Sequence, residues 1–304
     1  MPFNEAQSAA VSHKDGPMMV LAGPGSGKTT VVTHRVQSLI EKHGVNPSSI
    51  LVITFTRAAA REMKERFERL MEGRPMRGQV SFGTFHSVFF RILKLAYQYD
   101  ASDIIREDQK LRLIQELTAK EQLEPEDENE LISSLISEIS AVKGEQIDLE
   151  HYYAKSCSGD SFRRIYRGYE EQLQRAHKID FDDMLVMCWD LFRKRPDILS
   201  AWQKKYEYIL VDEFQDINRL QYQIVRMLAA PSDNLFIVGD DDQSIYRFRG
   251  AKPEIMLGFE KDYPQARRTL LGINYRSTSN IVDDAGKLIL PLYQGDCGGV
   301  SAAD

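Results

Sequence analysis

The chain has 304 residues, 42% hydrophobic and 28% charged, with a formal net charge of −6. That composition suits a globular protein of roughly two domains at about 150 residues each, and it excludes collagen-like, disordered and disulfide-scaffold classes. Cys157, Cys188 and Cys297 are scattered and form no C-x-x-C pair, so a reducing cytoplasm is expected and a disulfide framework is not. Residues 1–16 carry no basic-then-apolar signal, so no leader peptide is expected, and no apolar run reaches the roughly 18 residues that span a bilayer. In chain order, short apolar runs at 18–21, 50–55, 79–83, 208–211, 235–239 and 269–271 read as strands, alternating with longer helix-like stretches. Strands apolar throughout point to a parallel sheet covered by helices on both faces, an α/β fold. From 97 to about 177 the strand signals stop. Leu111, Ile114 and Leu117, then Leu131, Leu135, Ile136 and Ile139, recur at helical spacing, so a helical insertion is expected there. Its acidic stretch at 121–130 reads as a solvated loop, and segments 57–77 and 163–178 are locally basic.

Between the first strand and a helix-like run at 29–40 lies Ala22, Gly23, Pro24, Gly25, Ser26, Gly27, Lys28 and Thr29, followed by Thr30. Strand, glycine-rich loop, Lys-Thr and helix in that order make a phosphate loop. Glycines let backbone N–H groups converge on phosphate oxygens, and the helix adds its positive end. Lys28 can reach the β- and γ-phosphates, and Thr29 can turn its hydroxyl to Mg²⁺. Ala22 stands where the pattern usually has Gly; a small residue suffices there. A second apolar strand ends in Asp212, Glu213, Phe214, Gln215 and Asp216. Asp212 at a strand tip can hold Mg²⁺, and Glu213 beside it can orient and deprotonate a water, which suits NTP hydrolysis.

These motifs, with FNEAQ at 3–7, ITFTRAAAREM at 53–63, GTFHS at 83–87, IDFDDML at 179–185, VGDDDQSIYRFRGA at 238–251 and NYRS at 274–277, resemble the UvrD/Rep/PcrA-type superfamily 1A DNA helicases. The resemblance implies a RecA-like P-loop NTPase fold with an inserted, mainly helical subdomain. It divides the chain into 1–95, the insertion 96–178, 179–273, and the start of a second lobe or a tail at 274–304. It implies Mg-ATP hydrolysis coupled to 3′-to-5′ movement on single-stranded DNA and unwinding of 3′-tailed duplex, with repair or replication proteins as partners and no membrane. Gln7 would read the adenine edge, and Tyr275 would stack on the base. Gln215 and Gln243 would sense the γ-phosphate, and Arg276 would be an arginine finger. Phe55, Arg57, Thr84, Phe85, His86, Phe248 and Arg249 match strand-contacting positions. From the residues alone, Phe55 and Phe85 read equally as core, and His86 as a capping or core histidine. The chain departs from the family at Phe248, usually Trp, and at Arg57-Ala58, usually Asn-Lys; its insertion is short. Motifs V and VI do not occur within the 304 residues, so the polypeptide as given is expected to bind ATP without unwinding. A helicase-nuclease subunit of the RecB/AddA type, or an ATP-dependent DNA-binding module that never unwinds, are the alternative readings.

Overall fold

The structure, a computed structural model, describes residues 2–123, 127–240, 253–275 and 301–302. They fall into two compact units, Met1–Phe85 with Arg195–Asp304, and His86–Lys194.

The first unit is built on a six-stranded parallel sheet: β1 (Met18–Ala22), β2 (Ile50–Thr54), β3 (Ser81–Thr84), β4 (Tyr208–Val211), β5 (Leu235–Gly239) and β6 (Arg267–Leu271), ordered β3-β2-β4-β5-β1-β6. The α/β expectation holds, and all six strands lie within two or so residues of the apolar runs that predict them. β1, β2, β4 and β5 are buried along their whole length. Their alternate side chains explain why. Val20, Val52, Leu210, Phe236 and Val238 pack with Val32, Val36 and Leu39 of α2 (Lys28–Glu41) and with Met63 and Phe67 of α3 (Arg57–Leu70). Leu51, Ile53, Ile209, Val211 and Ile237 are equally buried and, one residue out of phase, face the other way. Each such side chain contributes about 1.5–3 kcal/mol relative to exposure. β6 departs from this pattern, because an edge strand tolerates the exposed Arg267 and Arg268 that shorten its apolar run. A two-residue parallel pair, β7 (Ile273–Asn274) with β8 (Ser301–Ala302), stands apart from the main sheet.

The strand order matters for the site. From β1 the chain passes to β2, leaving a gap that β4 and β5 fill later. Loops leaving β1, β4 and β5 therefore emerge side by side at the carboxyl ends of the strands, where open α/β sheets bind ligands. Before β1 lies α1 (Glu5–Ser12), opened by a capping box in which the Asn4 side chain accepts from the Gln7 N–H and the Gln7 side chain accepts from the Asn4 N–H. Arg35 of α2 fixes the other end of α1. Its guanidinium is 1% exposed, donates to the carbonyls of Ala10, His13 and Lys14, and lies 4.4 Å over the Phe236 ring. Burial pulls its pKa down to about 9, against the smaller pull of Tyr208 and Asp15.

The second unit is helical: α4 (Phe85–Tyr97, whose first residue belongs to the first unit), α5 (Glu107–Lys120), α6 (Glu128–Glu145), α7 (Gly159–Arg175) and α8 (Phe181–Lys194). Ile114, Leu135, Ile139, Phe162, Ile165 and Tyr169 form its core. Leu111, on the same predicted stripe, is 40% exposed. The acidic segment is less of a loop than its charge suggests. α6 starts at Glu128 behind the Asp127 cap, and Glu128 and Glu130 sit in its first turn, where the helix dipole favours them. The remaining helices, α9 (Pro196–Lys205), α10 (Arg219–Ala229) and α11 (Pro253–Asp262), belong to the first unit.

Candidate functional site

The phosphate loop turns on two left-handed glycines, Gly25 (φ 71°) and Gly27 (φ 88°), the latter being the N-cap of α2. Gly27 is doubly constrained: beyond its backbone conformation, a Cβ there would lie 3.2 Å from Gln7 Nε2. Gln7 is 6% exposed, and its Nε2 donates to the Ser26 carbonyl at 3.2 Å. Ser26 Oγ in turn donates to the Gly23 carbonyl at 2.7 Å. Tyr275 joins the same loop. Its N–H donates to the Gly25 carbonyl at 2.9 Å, and its hydroxyl accepts from Asn4 Nδ2 at 2.9 Å, while the side chain stays 41% exposed. Gln7 and Tyr275, far apart in sequence, therefore brace one loop. Ala22 and Gly23 are buried, Pro24 is exposed, and Lys28, Thr29 and Thr30 are half-buried in the first turn of α2.

Opposite the loop stand the tips of β4 and β5. Asp212 is 4% exposed, and its Oδ1 has no hydrogen-bond partner among the described residues. Burial, and then the charge of Glu213, push its carboxyl up to about 7, against the pull of Lys28. Glu213 holds a left-handed backbone (φ 52°, ψ 46°) that turns its side chain back to Lys28, 3.4 Å away. Gln215, 2% exposed, clamps both tips: Nε2 donates to Glu213 Oε2 at 2.9 Å, and Oε1 accepts from the Asp240 N–H at 3.0 Å. Gly239 makes room for that clamp, since a Cβ there would come within 2.9 Å of Gln215 Oε1.

Asp240 was not singled out among the sequence candidates. It directly follows β5 as Asp212 follows β4, is fully buried, and lies 3.7 Å from Lys28 Nζ. That parallel was the available signal.

The donor set fits Mg²⁺. An orphaned, buried carboxylate oxygen beside a phosphate loop is the hard ligand the ion prefers. Among the described residues no group of three or more His, Cys, Asp or Glu is placed to hold a metal. Mg²⁺ typically takes one or two carboxylates and completes its shell with nucleotide phosphates and water.

Of the candidate strand-contacting residues, Phe55 is half-buried at the end of β2, and Phe85 is 2% exposed beneath it, edge-on with centroids 5.7 Å apart. Thr84 is buried, and Arg57 is exposed in the first turn of α3. His86, in the second unit, packs edge-on against Phe181 at 5.2 Å. Gln243, Phe248, Arg249 and Arg276 lie outside the described residues. Much of the local basic charge is neutralised in place. In α3, Arg66 pairs with Glu62 at 2.6 Å and Lys64 with Glu68 at 3.7 Å; in the second unit, Arg164 pairs with Glu121 at 2.6 Å.

Residues 3–264 match the UvrD/REP helicase N-terminal domain family. The chain belongs to that family. Over 287 residues this UvrD/REP-family chain is 40% identical to YjcD of Bacillus subtilis (strain 168), covering 93% of the chain and 38% of YjcD. It is 39% identical over 297 residues to ATP-dependent DNA helicase PcrA of Staphylococcus aureus (strain Mu50 / ATCC 700699), covering 94% and 40% of the two chains. PcrA of Leuconostoc citreum is 39% identical over 298 residues, 94% of this chain and 39% of its own length. The chain thus spans about two fifths of the length of the curated relatives it matches. Among the described residues no helix is long and apolar enough to cross a membrane.

Proposed function

We propose that this chain is the ATP-binding portion of a cytoplasmic DNA helicase that hydrolyses Mg-ATP to move 3′ to 5′ along single-stranded DNA and open 3′-tailed duplex, in the service of repair or replication proteins. One observation carries the reading. The phosphate loop after β1, the orphaned Asp212 oxygen after β4 and the Glu213–Lys28 pair meet at the carboxyl ends of β1 and β4, on either side of β5. Asp212 and Thr29 would hold Mg²⁺, which would supply positive charge to the phosphates. Residues 22–30 would cradle the phosphates, and Lys28 would neutralise the β/γ oxygens. Glu213 would take the proton of the attacking water. Gln215, already tied to Glu213 and β5, would pass the state of the γ-phosphate between strands with Gln243, and Arg276 would supply charge to the transition state. Gln7 keeps an N–H and a lone pair beyond its two protein contacts, the pair an adenine edge needs, and the exposed Tyr275 face would stack on the base. Phe55, Arg57, Thr84, His86, Phe248 and Arg249 would grip the strand, with Phe85 supporting Phe55 from below.

The domain division 1–95, 96–178, 179–273 and 274–304 belongs to the same reading. So does the expectation that the 304-residue polypeptide binds ATP without unwinding. Calorimetry tests the core of it: Mg-ATP binds the parent chain, and Lys28→Ala weakens binding about tenfold or more, a loss of at least ~1.4 kcal/mol. Equal affinities would remove Lys28 from the phosphate site and the proposal with it.

A further inference from the structure

Three of the four polar groups of Asn4 go to the two residues that the proposed function sets against the base. Its Oδ1 accepts from the Gln7 N–H at 2.8 Å, its N–H donates to Gln7 Oε1 at 3.2 Å, and its Nδ2 donates to the Tyr275 hydroxyl at 2.9 Å. The fourth, its carbonyl, starts α1 by accepting from the Ser8 N–H at 2.8 Å. The bond to Tyr275 crosses 271 residues of sequence. Tyr275 is thereby held at both ends, its N–H on the Gly25 carbonyl and its hydroxyl on Asn4, although the residue stays 41% exposed. Polar ties fix this ring more than burial does.

Building on the proposed nucleotide site, we infer that Asn4 is a positioning residue for the base: it sets Tyr275 against Gln7, so that the stacking ring and the amide that reads the base edge are held in one arrangement. Entropy gives the reason. A tyrosine left to turn about its two side-chain torsions loses that freedom when a base stacks on it, a cost of about three- to tenfold in affinity. With its hydroxyl held by Asn4, the ring has already lost that freedom on folding. The same side chain caps α1 through Gln7, so both partners of the base are referred to a single residue. Only ligands that carry a base feel this, because the four bonds of Asn4 go to Gln7, Ser8 and Tyr275, whereas phosphates would meet residues 22–30.

The dissociation constant of Mg-tripolyphosphate divided by that of Mg-ATP isolates the base, since both ligands carry three phosphates. Measured by calorimetry on the 304-residue chain, that ratio should fall about three- to tenfold in Asn4→Ser, with Mg-tripolyphosphate affinity staying within about twofold. Serine remains a good N-cap for α1 but is too short to hold Tyr275. Tyr275→Phe keeps the ring, removes the hydroxyl and should lower the ratio by the same factor, and the double variant should fall no further than either alone. Asn4→Asp should keep the parent ratio, because a carboxylate caps α1 and lets the Tyr275 hydroxyl donate where it now accepts. An unchanged ratio in both Asn4→Ser and Tyr275→Phe would overturn the inference. So would additive losses in the double variant, or a fall in Asn4→Asp as deep as in Asn4→Ser. Equal loss of Mg-ATP and Mg-tripolyphosphate affinity in Asn4→Ser would also overturn it, making Asn4 a cap and nothing more. A parent chain that binds the two ligands equally would take down the base-site reading itself; one that prefers Mg-ATP, with a ratio that no variant moves, would take down this inference alone.

Discussion

Glu213 sits in a backbone region that costs a non-glycine residue on the order of 1 kcal/mol or more, and the surrounding structure holds it there. The Asp216 N–H donates to its carbonyl at 3.0 Å, and Gln215 Nε2 donates to its carboxylate. A strained residue anchored on both its backbone and its side chain, at a strand tip facing a lysine, is the one that the proposed function would set against a water. Glu213→Gln keeps the shape and the hydrogen bond from Gln215 but cannot accept a proton. We expect Mg-ATP affinity to stay within about threefold and turnover to fall about 10²-fold or more. Hydrolysis retained in that variant, free of contaminating ATPase, would assign water activation to another residue. Residues 22–30, Asp212 and Glu213 were legible in the sequence because their meaning is local: strand, turn and next residue are contiguous. Asp240 was not, because its significance comes from β5 lying between β4 and β1, an order no local pattern reports.

Among the elements, α8 shows how much can hide in a motif read only by resemblance. The Asp residues of IDFDDML build its first turn and a buried charge cluster. Asp180 and Asp183 exchange side-chain-to-backbone hydrogen bonds at 2.7 and 3.0 Å. Lys143 of α6, 3% exposed at its side chain, meets Glu170 at 2.6 Å, Asp183 at 2.7 Å and Asp180 at 2.9 Å, and the Tyr169 hydroxyl donates to Asp180. Charge pairs this well buried add little net stability over apolar packing, yet removing one partner is costly because the other is stranded. Lys143→Met should destabilise this unit by about 3–5 kcal/mol, seen as faster amide exchange localised to α6 and α8. Exchange unchanged in those helices would mean that water screens the cluster.

The same cluster sets a pH dependence. Burial, and then the charge of Asp180, push the Asp183 carboxyl up to about 7, whereas for Asp180 burial is outweighed by Lys143 and Lys110, which hold it near 2. Between about pH 4 and 7 the folded unit keeps a proton on Asp183 that the unfolded chain releases, so this group's contribution to stability falls as pH rises. Asp183→Asn cannot lose that proton. The melting temperature of Asp183→Asn minus that of the parent should therefore increase from pH 4 to pH 7. A flat difference would show that Asp183 titrates as an ordinary carboxylate. The sequence shows three acidic residues close together. The lysines that hold Asp180 down come from α5 and α6, beyond the reach of local spacing.

For the whole molecule, charge decides how nucleic acid would be held. The net charge of −6 leaves no excess for coating a phosphate backbone. The two basic segments resolve into short-range pairs: Arg61–Glu65, Lys64–Glu68 and Arg66–Glu62 along α3, and Arg164–Glu121, Arg167–Glu150 and Arg175–Glu171 along α7. Such exposed pairs are worth little individually, but a phosphate must displace the carboxylate before it gains the arginine. Arg57, like Arg69 and Arg77, is exposed and has no ion pair among the described residues, and it lies in the first turn of α3. A cation at a helix N-terminus is disfavoured by the dipole, by about 0.3–1 kcal/mol, so stability does not account for its place. Under the proposed function it would meet a phosphate of a strand whose base lies on the Phe55 ring. Single-stranded DNA should then bind weakly and with a shallow salt dependence, log K against log salt running between about −1 and −3. Arg57→Ala should flatten that slope by about 0.7, the single-strand value for one phosphate contact. Anisotropy titrations of an oligothymidine at several low salt concentrations measure both. A slope steeper than about −5 would mean that the α3 and α7 pairs open to bind phosphates. A slope unmoved by Arg57→Ala would take that residue out of the strand path.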